Sequence, residues 1–203
     1  VPSPGAPTRA ALPAPAEARL QVLARARALL GRERLVLGGR AFPASCDGFI
    51  AAAYGPLAPA GPAVAAGDNA VTALYRRVAA LGGLFREGAP RPGDLAFFRD
   101  TYDLNRDGRA NDGLTHVALV EAVEGDGRGG STVTLLHHVS RGVVRERLTP
   151  ARPSERADPA SGRVLNHVLR GAERGRSAAL AGELFVSYGA LLPPGPGAAA
   201  AAP

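Results

Sequence analysis

The chain has 203 residues, a formal net charge of +6 and 46% apolar residues. That length supports one domain with a sizeable core, and the apolar share excludes a disordered chain. No apolar run approaches the roughly 18 residues that a membrane helix needs, and the 26 glycines and 18 prolines follow no Gly-X-Y period, which excludes collagen.

All 24 basic residues are arginine. This fits solvated guanidinium groups in a lysine-free composition as well as attraction to a polyanion. Only 5% of residues are aromatic, and they are not interleaved with the arginines. No stacking platform for single strands is expected, and so no nucleic-acid partner. The single cysteine, Cys46, excludes an intrachain disulfide.

Residues 1–15 are rich in Pro and Ala and read as a flexible linker, as after a removed export signal; residues 193–203 read as a disordered tail. The folded domain is expected over 16–192. Residues 16–31 predict a helix with Leu20, Leu23 and Leu30 on its buried face and Gly31 as its stop. A short strand over Leu35–Leu37 and a Gly/Pro-rich loop lead to a helix over 46–54, ended by Gly55-Pro56. A third helix is expected from Asn69 to Leu81.

Beyond it the pattern turns β-like, with strands over Asp94–Arg99, His116–Val123, Thr132–Val139 and Val143–Leu148. A strand over Gly162–Arg170 and a last helix over Ala178–Leu191 follow. Helices first and strands afterwards predict an α+β fold.

Cys46 opens a predicted helix, with Ser45 as its cap. The free N–H groups and partial positive charge of a first helical turn favour a thiolate, so a thiol pKa below about 8.5 is expected. Four histidines are available as a base: His116, His137, His138 and His167. His116 opens a strand, and a neighbouring strand carries His137 and His138, which alternation sends to opposite faces. Only one of that pair is expected to orient His116. The alternative for Cys46 is a buried structural thiol, and His167 reads as structural.

The motifs CDGF at a helix start, RPGDLAFF, THVALVEAV and LLHHVSRGV occur in that order over residues 35–148. In order and in detail they resemble the NlpC-type and CHAP-type papain-like cysteine peptidases and amidases of bacterial cell walls. The resemblance implies a papain-like fold, its cysteine helix packed on a small antiparallel sheet. It implies Cys46 as nucleophile, His116 as base and His137 in the third position, with the Cys46 and Asp47 N–H groups as oxyanion donors. Asp94 would cap the turn into its strand.

The implied activity is hydrolysis of a peptide or amide bond in peptidoglycan or its peptide fragments, by an exported, periplasmic or extracellular monomer. Two alternatives on the same fold are a catalytically silent wall-binding protein and a thiol acyltransferase. Asp47 departs from the family's usual serine, and an acid at that place opposes thiolate formation unless it points away.

The loop before His116 matches the first half of a calcium loop. Asp103, Asn105 and Asp107 fall at positions 1, 3 and 5, Gly108 at 6, and the Arg109 carbonyl at 7. Position 12 is Leu114, so Asn111 or Asp112 would supply the missing donor. No cofactor is required, and a structural Ca²⁺ is the expectation set against a plain Asx-rich turn. Tyr54 and Tyr75 read as core or rim residues, and Tyr102 as a candidate cleft residue. Arg141, Arg145 and Arg147 form a basic stripe, either solvated or facing an anionic substrate strand.

Overall fold

A computed structural model describes residues 15–58, 65–126, 128, 130–173 and 175–192. The linker expected over 1–15 lies outside these residues except for Pro15, and so does the tail over 193–203.

The first helix, α1, spans Pro15–Ala28. Proline is suited to a first helical position, where its missing N–H has no intrahelical partner. The buried stripe is Ala18, Val22 and Ala26 with Leu23 beside it, whereas Leu20 is 67% exposed. The expected Leu20 face is therefore corrected. The i, i+4, i+8 row of small residues lets α1 lie close to the core, and Leu20 falls on the far side of that row.

A hairpin of β1 (Leu35–Leu37) and β2 (Arg40–Phe42) leads to α2 (Cys46–Tyr54) and a 3-10 turn over Gly55–Leu57. The hairpin occupies part of what reads as loop in the sequence. Helix α3 spans Ala70–Ala80, with Asn69 as its N-cap.

The sheet has six strands, all paired antiparallel: β3 (Leu84–Phe85), β4 (Leu95–Arg99), β5 (Leu114–Gly125), β6 (Ser131–Val139), β7 (Gly142–Leu148) and β10 (Phe185–Gly189). They lie in the order β3-β10-β4-β5-β6-β7. A separate pair, β8 (Val168–Arg170) with β9 (Ala179–Leu180), and a short helix α4 (Ala181–Leu184) complete the chain. The mixed helices and antiparallel sheet are those of an α+β protein.

The last helix expected over Ala178–Leu191 is corrected to β9, α4 and β10. Phe185, Val186 and Tyr188 favour a pleated, half-buried surface over a helix, and β10 fills the place between β3 and β4. Gly189 is needed there, since a Cβ would stand 2.8 Å from a Phe97 ring carbon and 3.0 Å from Val78 Cγ1. The strand expected from Gly162 begins only at Val168.

Strand alternation gives the sheet two buried faces. Leu95, Phe97, Val117, Leu119, Leu136 and Val143 pack with residues of α1, α2 and α3. Ala96, Phe98, Ala118, Val120, Val133, Leu135 and Leu148 pack against the C-terminal segment through Leu184, Phe185 and Tyr188. No described helix is long and apolar enough to cross a membrane.

Candidate active site

Helix α2 is capped at both ends. The Ser45 side chain accepts the Gly48 N–H at 3.2 Å, and the Ser45 backbone is extended as an N-cap requires. At the other end Arg25 of α1 donates to the carbonyls of Ala52 and Ala53, placing a cation at the negative helix end. Gly48 is required by packing: the preceding loop folds back so that a Cβ would lie on the Pro43 carbonyl oxygen and 3.0 Å from Ser45 Oγ. Cys46 thus sits at the first helical position, anchored by its own cap.

The start of β5 is fixed from several sides. Asn69 caps α3 by accepting the Thr72 N–H at 2.8 Å, and its Nδ2 donates to the Leu114 carbonyl at 2.8 Å. Thr101 binds Thr115 Oγ1 through both its N–H and its hydroxyl. Asp94 accepts the Arg91 N–H at 2.8 Å and pairs with Arg19 of α1, which closes the turn into β4. The Tyr54 hydroxyl donates to the Gly93 carbonyl in the same turn. Phe98 of β4 stands opposite His116 in the register.

Between these elements lies a cleft of about 630 Å³, lined by Ser45, Cys46, Asp47, Tyr102, His116 and His138 among others. His116 Nε2 lies 2.9 Å from His137 Nδ1, and the two rings meet edge to face with centroids 5.0 Å apart. His116 is only 8% exposed. Its Nε2 is engaged by His137, which leaves Nδ1 as the ring nitrogen without a hydrogen bond among the described residues. No hydrogen bond joins the Cys46 thiol to His116 among the described residues; the two share the cleft.

His137 and His138 do face opposite ways, yet both belong to the site region. His137 sits behind His116, fully buried. His138 lines the cleft, with its Nε2 2.9 Å from the Glu33 carbonyl. The cleft runs past the end of the sheet, so it meets residues from both faces.

The thiol departs from its sequence expectation. Burial pushes the Cys46 pKa up to about 11, and the nearby Asp47 carboxylate adds to the rise. The backbone N–H groups of Val117, Asp47 and Cys46 pull it down but do not offset the desolvation. The partial charge of a helix start is a small effect beside loss of water around an anion. Burial likewise holds His116 well below the ordinary imidazole range, with His137 and His138 adding to the effect. Both shifts favour the uncharged forms, a thiol and a neutral imidazole. Tyr102, 42% exposed on the cleft, has its phenol pKa raised by burial and by Cys46, Asp47 and Asp112.

The loop over 103–112 is closed by its own side chains. Asp103 accepts the N–H groups of Asp107 and Gly108, Asp107 accepts that of Arg109, and Asp112 accepts those of Leu104 and Asn105. Asn111 Nδ2 donates to Asp107 at 2.9 Å. Arg170 and Arg176 hold the Asp100 carbonyl from the C-terminal segment, at 2.8 and 2.6 Å. No three His, Cys, Asp or Glu side chains among the described residues converge as a metal-binding group.

Each arginine of the basic stripe pairs with a carboxylate. Arg141 pairs with Glu146, Arg145 with Glu121 and Arg147 with Glu124. His167 accepts the Arg147 N–H at 2.8 Å, a structural contact.

Sequence reasoning passed over two residues of the site. Asn69 reads only as the first residue of a helix, yet it caps α3, ties it to β5 and lines the cleft. Glu146 is masked by its arginine neighbours, yet it is buried, with Oε2 3.3 Å from His137 Nε2. The usable signal is an acid diagonal to His137 on the adjoining strand, on the same face of the sheet, which period-2 alternation makes legible once the β6–β7 hairpin is recognised. No family model matches this sequence, and comparison with curated proteins and with solved structures finds no match.

Proposed function

We propose that the chain is a papain-like cysteine hydrolase that cleaves a peptide or amide bond of peptidoglycan fragments outside the cytoplasm. The observation that carries this reading is the cleft shared by Cys46 and His116, with His137 behind His116 at 2.9 Å. The cell-wall substrate and the exported location rest on the motif resemblance alone.

The chemistry starts from the uncharged thiol and imidazole. His116 Nδ1 takes the thiol proton as Sγ attacks the carbonyl carbon, so no standing thiolate is required. The Cys46 and Asp47 N–H groups at the start of α2 are the donors for the oxyanion in this reading. The C–N bond then breaks, and the amine leaves with the proton from His116. Water, giving a proton to His116, attacks the thioester. The acid departs and the thiol regains its proton.

A second reading, a catalytically silent wall-binding protein on the same fold, is favoured by the raised thiol pKa and by Asp47 on the cleft. Incubation of purified wall peptides with the wild type and Cys46→Ala, followed by mass spectrometry of peptides and protein, separates the two. The hydrolase reading expects cleavage and a transient acyl adduct on Cys46, both lost in the variant. Binding without cleavage supports the silent reading. Cleavage retained in Cys46→Ala overturns the assigned nucleophile.

A further inference from the structure

Glu146 lies in the middle of β7, is 6% exposed, and faces the same side of the sheet as His137. Its Oε2 stands 3.3 Å from His137 Nε2, and its Oε1 accepts from Arg141 Nη2 at 3.1 Å. His137 Nε2 and Glu146 Oε2 are both fully shielded, and neither completes a hydrogen bond with any group among the described residues, so each is the nearest polar partner the other has, at 3.3 Å. The row Glu146, His137, His116 runs from a buried carboxylate to the cleft.

We propose that Glu146 is a positioning residue that fixes the direction of the proton pattern through both imidazoles, leaving His116 Nδ1 bare toward the cleft. Its catalytic meaning rests on the hydrolase reading; the proton pattern itself does not.

An ionised carboxylate only accepts. Facing Glu146, His137 Nε2 must carry the proton. A neutral His137 then has a bare Nδ1, which also only accepts. The 2.9 Å contact therefore needs the proton on His116 Nε2, and a neutral His116 is left with Nδ1 as a free base. Without Glu146 the reverse pattern becomes equally good. His137 would donate from Nδ1, His116 would carry its proton on Nδ1, and no base would face the cleft. Glu146 also leaves an anion two rings from His116, which favours the imidazolium formed when the thiol proton arrives.

The surrounding charges are consistent with an ionised Glu146. Burial alone would raise its pKa, but the contact with His137 and its surroundings, the permanent charge of Arg141 among them, outweigh this and lower it. The groups facing the imidazole pair are His138 from β6, His167 from the segment before β8, and Arg141 from the β6–β7 turn.

Long-range proton–nitrogen NMR on the ¹⁵N-histidine-labelled protein reads the ring tautomers with no substrate present. The wild type should show both His137 and His116 protonated on Nε2. Glu146→Leu should mix or reverse the His137 pattern. Glu146→Gln, which keeps the volume and one acceptor, should hold it in part and guards against a variant that fails to fold. A wild type protonated on His137 Nδ1, or an unchanged pattern in a folded Glu146→Leu, overturns the proposal. If wall peptides are cleaved, Glu146→Gln should lower kcat about tenfold with KM unchanged. It should also move the acid limb of the pH profile to lower pH, as the imidazolium loses its anion. An unmoved acid limb counts against the role. If no peptide is cleaved, the hydrolase reading fails and the tautomers alone decide this one.

Discussion

Gly48→Ala pits two effects of opposite sign against each other. Within a helix, alanine is favoured over glycine by about 1 kcal/mol, so propensity alone predicts a more stable protein. The packing says otherwise. A Cβ at this position would lie on the Pro43 carbonyl oxygen, with the Pro43 carbonyl carbon at 2.9 Å and Ser45 Oγ at 3.0 Å. The obstacle is backbone, and its oxygen already accepts the Ser45 N–H at 2.9 Å. Relief requires the loop to leave the helix, at about 1–3 kcal/mol for the overpacking and about 1 kcal/mol more if the Ser45 cap is lost. The net expectation is a loss of about 1–3 kcal/mol, a fall in Tm of roughly 2–4 °C per kcal/mol for a domain of this size. Because the displaced loop is the one that caps Cys46, alkylation of the thiol at fixed pH should quicken in the same variant. Thermal unfolding by circular dichroism and the rate of iodoacetamide labelling give the two readings. A variant as stable as the wild type, or more so, would falsify the packing argument and return the position to propensity.

The thiol should alkylate slowly at neutral pH, its rate rising with a midpoint near 11; a midpoint at or below about 8.5 would mean that the helix start outweighs burial. Because the folded pKa lies above the unfolded one, the stability tied to this thiol is fully present below pH 9 and lost as pH climbs from 9 toward 11. Urea titrations of wild type and Cys46→Ala across that range should diverge only there. His138→Ala, losing its contact with the Glu33 carbonyl, should cost about 1 kcal/mol of stability, and His137→Ala should abolish turnover of wall peptides. Equal turnover losses would leave the two rings without distinct roles. For the loop over 103–112 we propose weak calcium binding, with Asp103, Asn105, Asp107, the Arg109 carbonyl and Asp112 as donors. Calorimetric titration at millimolar calcium should show heat that Asp107→Ala removes, and no heat in the wild type refutes it.

Local signals already carry much of this protein. The Ser45-Cys46 helix start, the stop at Gly55, the helix that begins near Asn69 and the four strands from Leu95 to Leu148 are legible because caps, glycines and period-2 alternation act over a few residues. The separation of His137 from His138 follows from the same alternation. What neighbours in space decide is not legible that way. Phe185–Gly189 lies in a stretch that reads as helix, and becomes a strand because the gap between β3 and β4 takes aromatic and β-branched side chains. Leu20 loses its place to a stripe of small residues because α1 must approach α2 closely. The state of the Cys46 thiol depends on how much water the folded chain removes, a quantity that no spacing encodes. Glu146 reads as one charge in an arginine-rich strand until the β6–β7 register sets it beside His137 and closes it off from solvent.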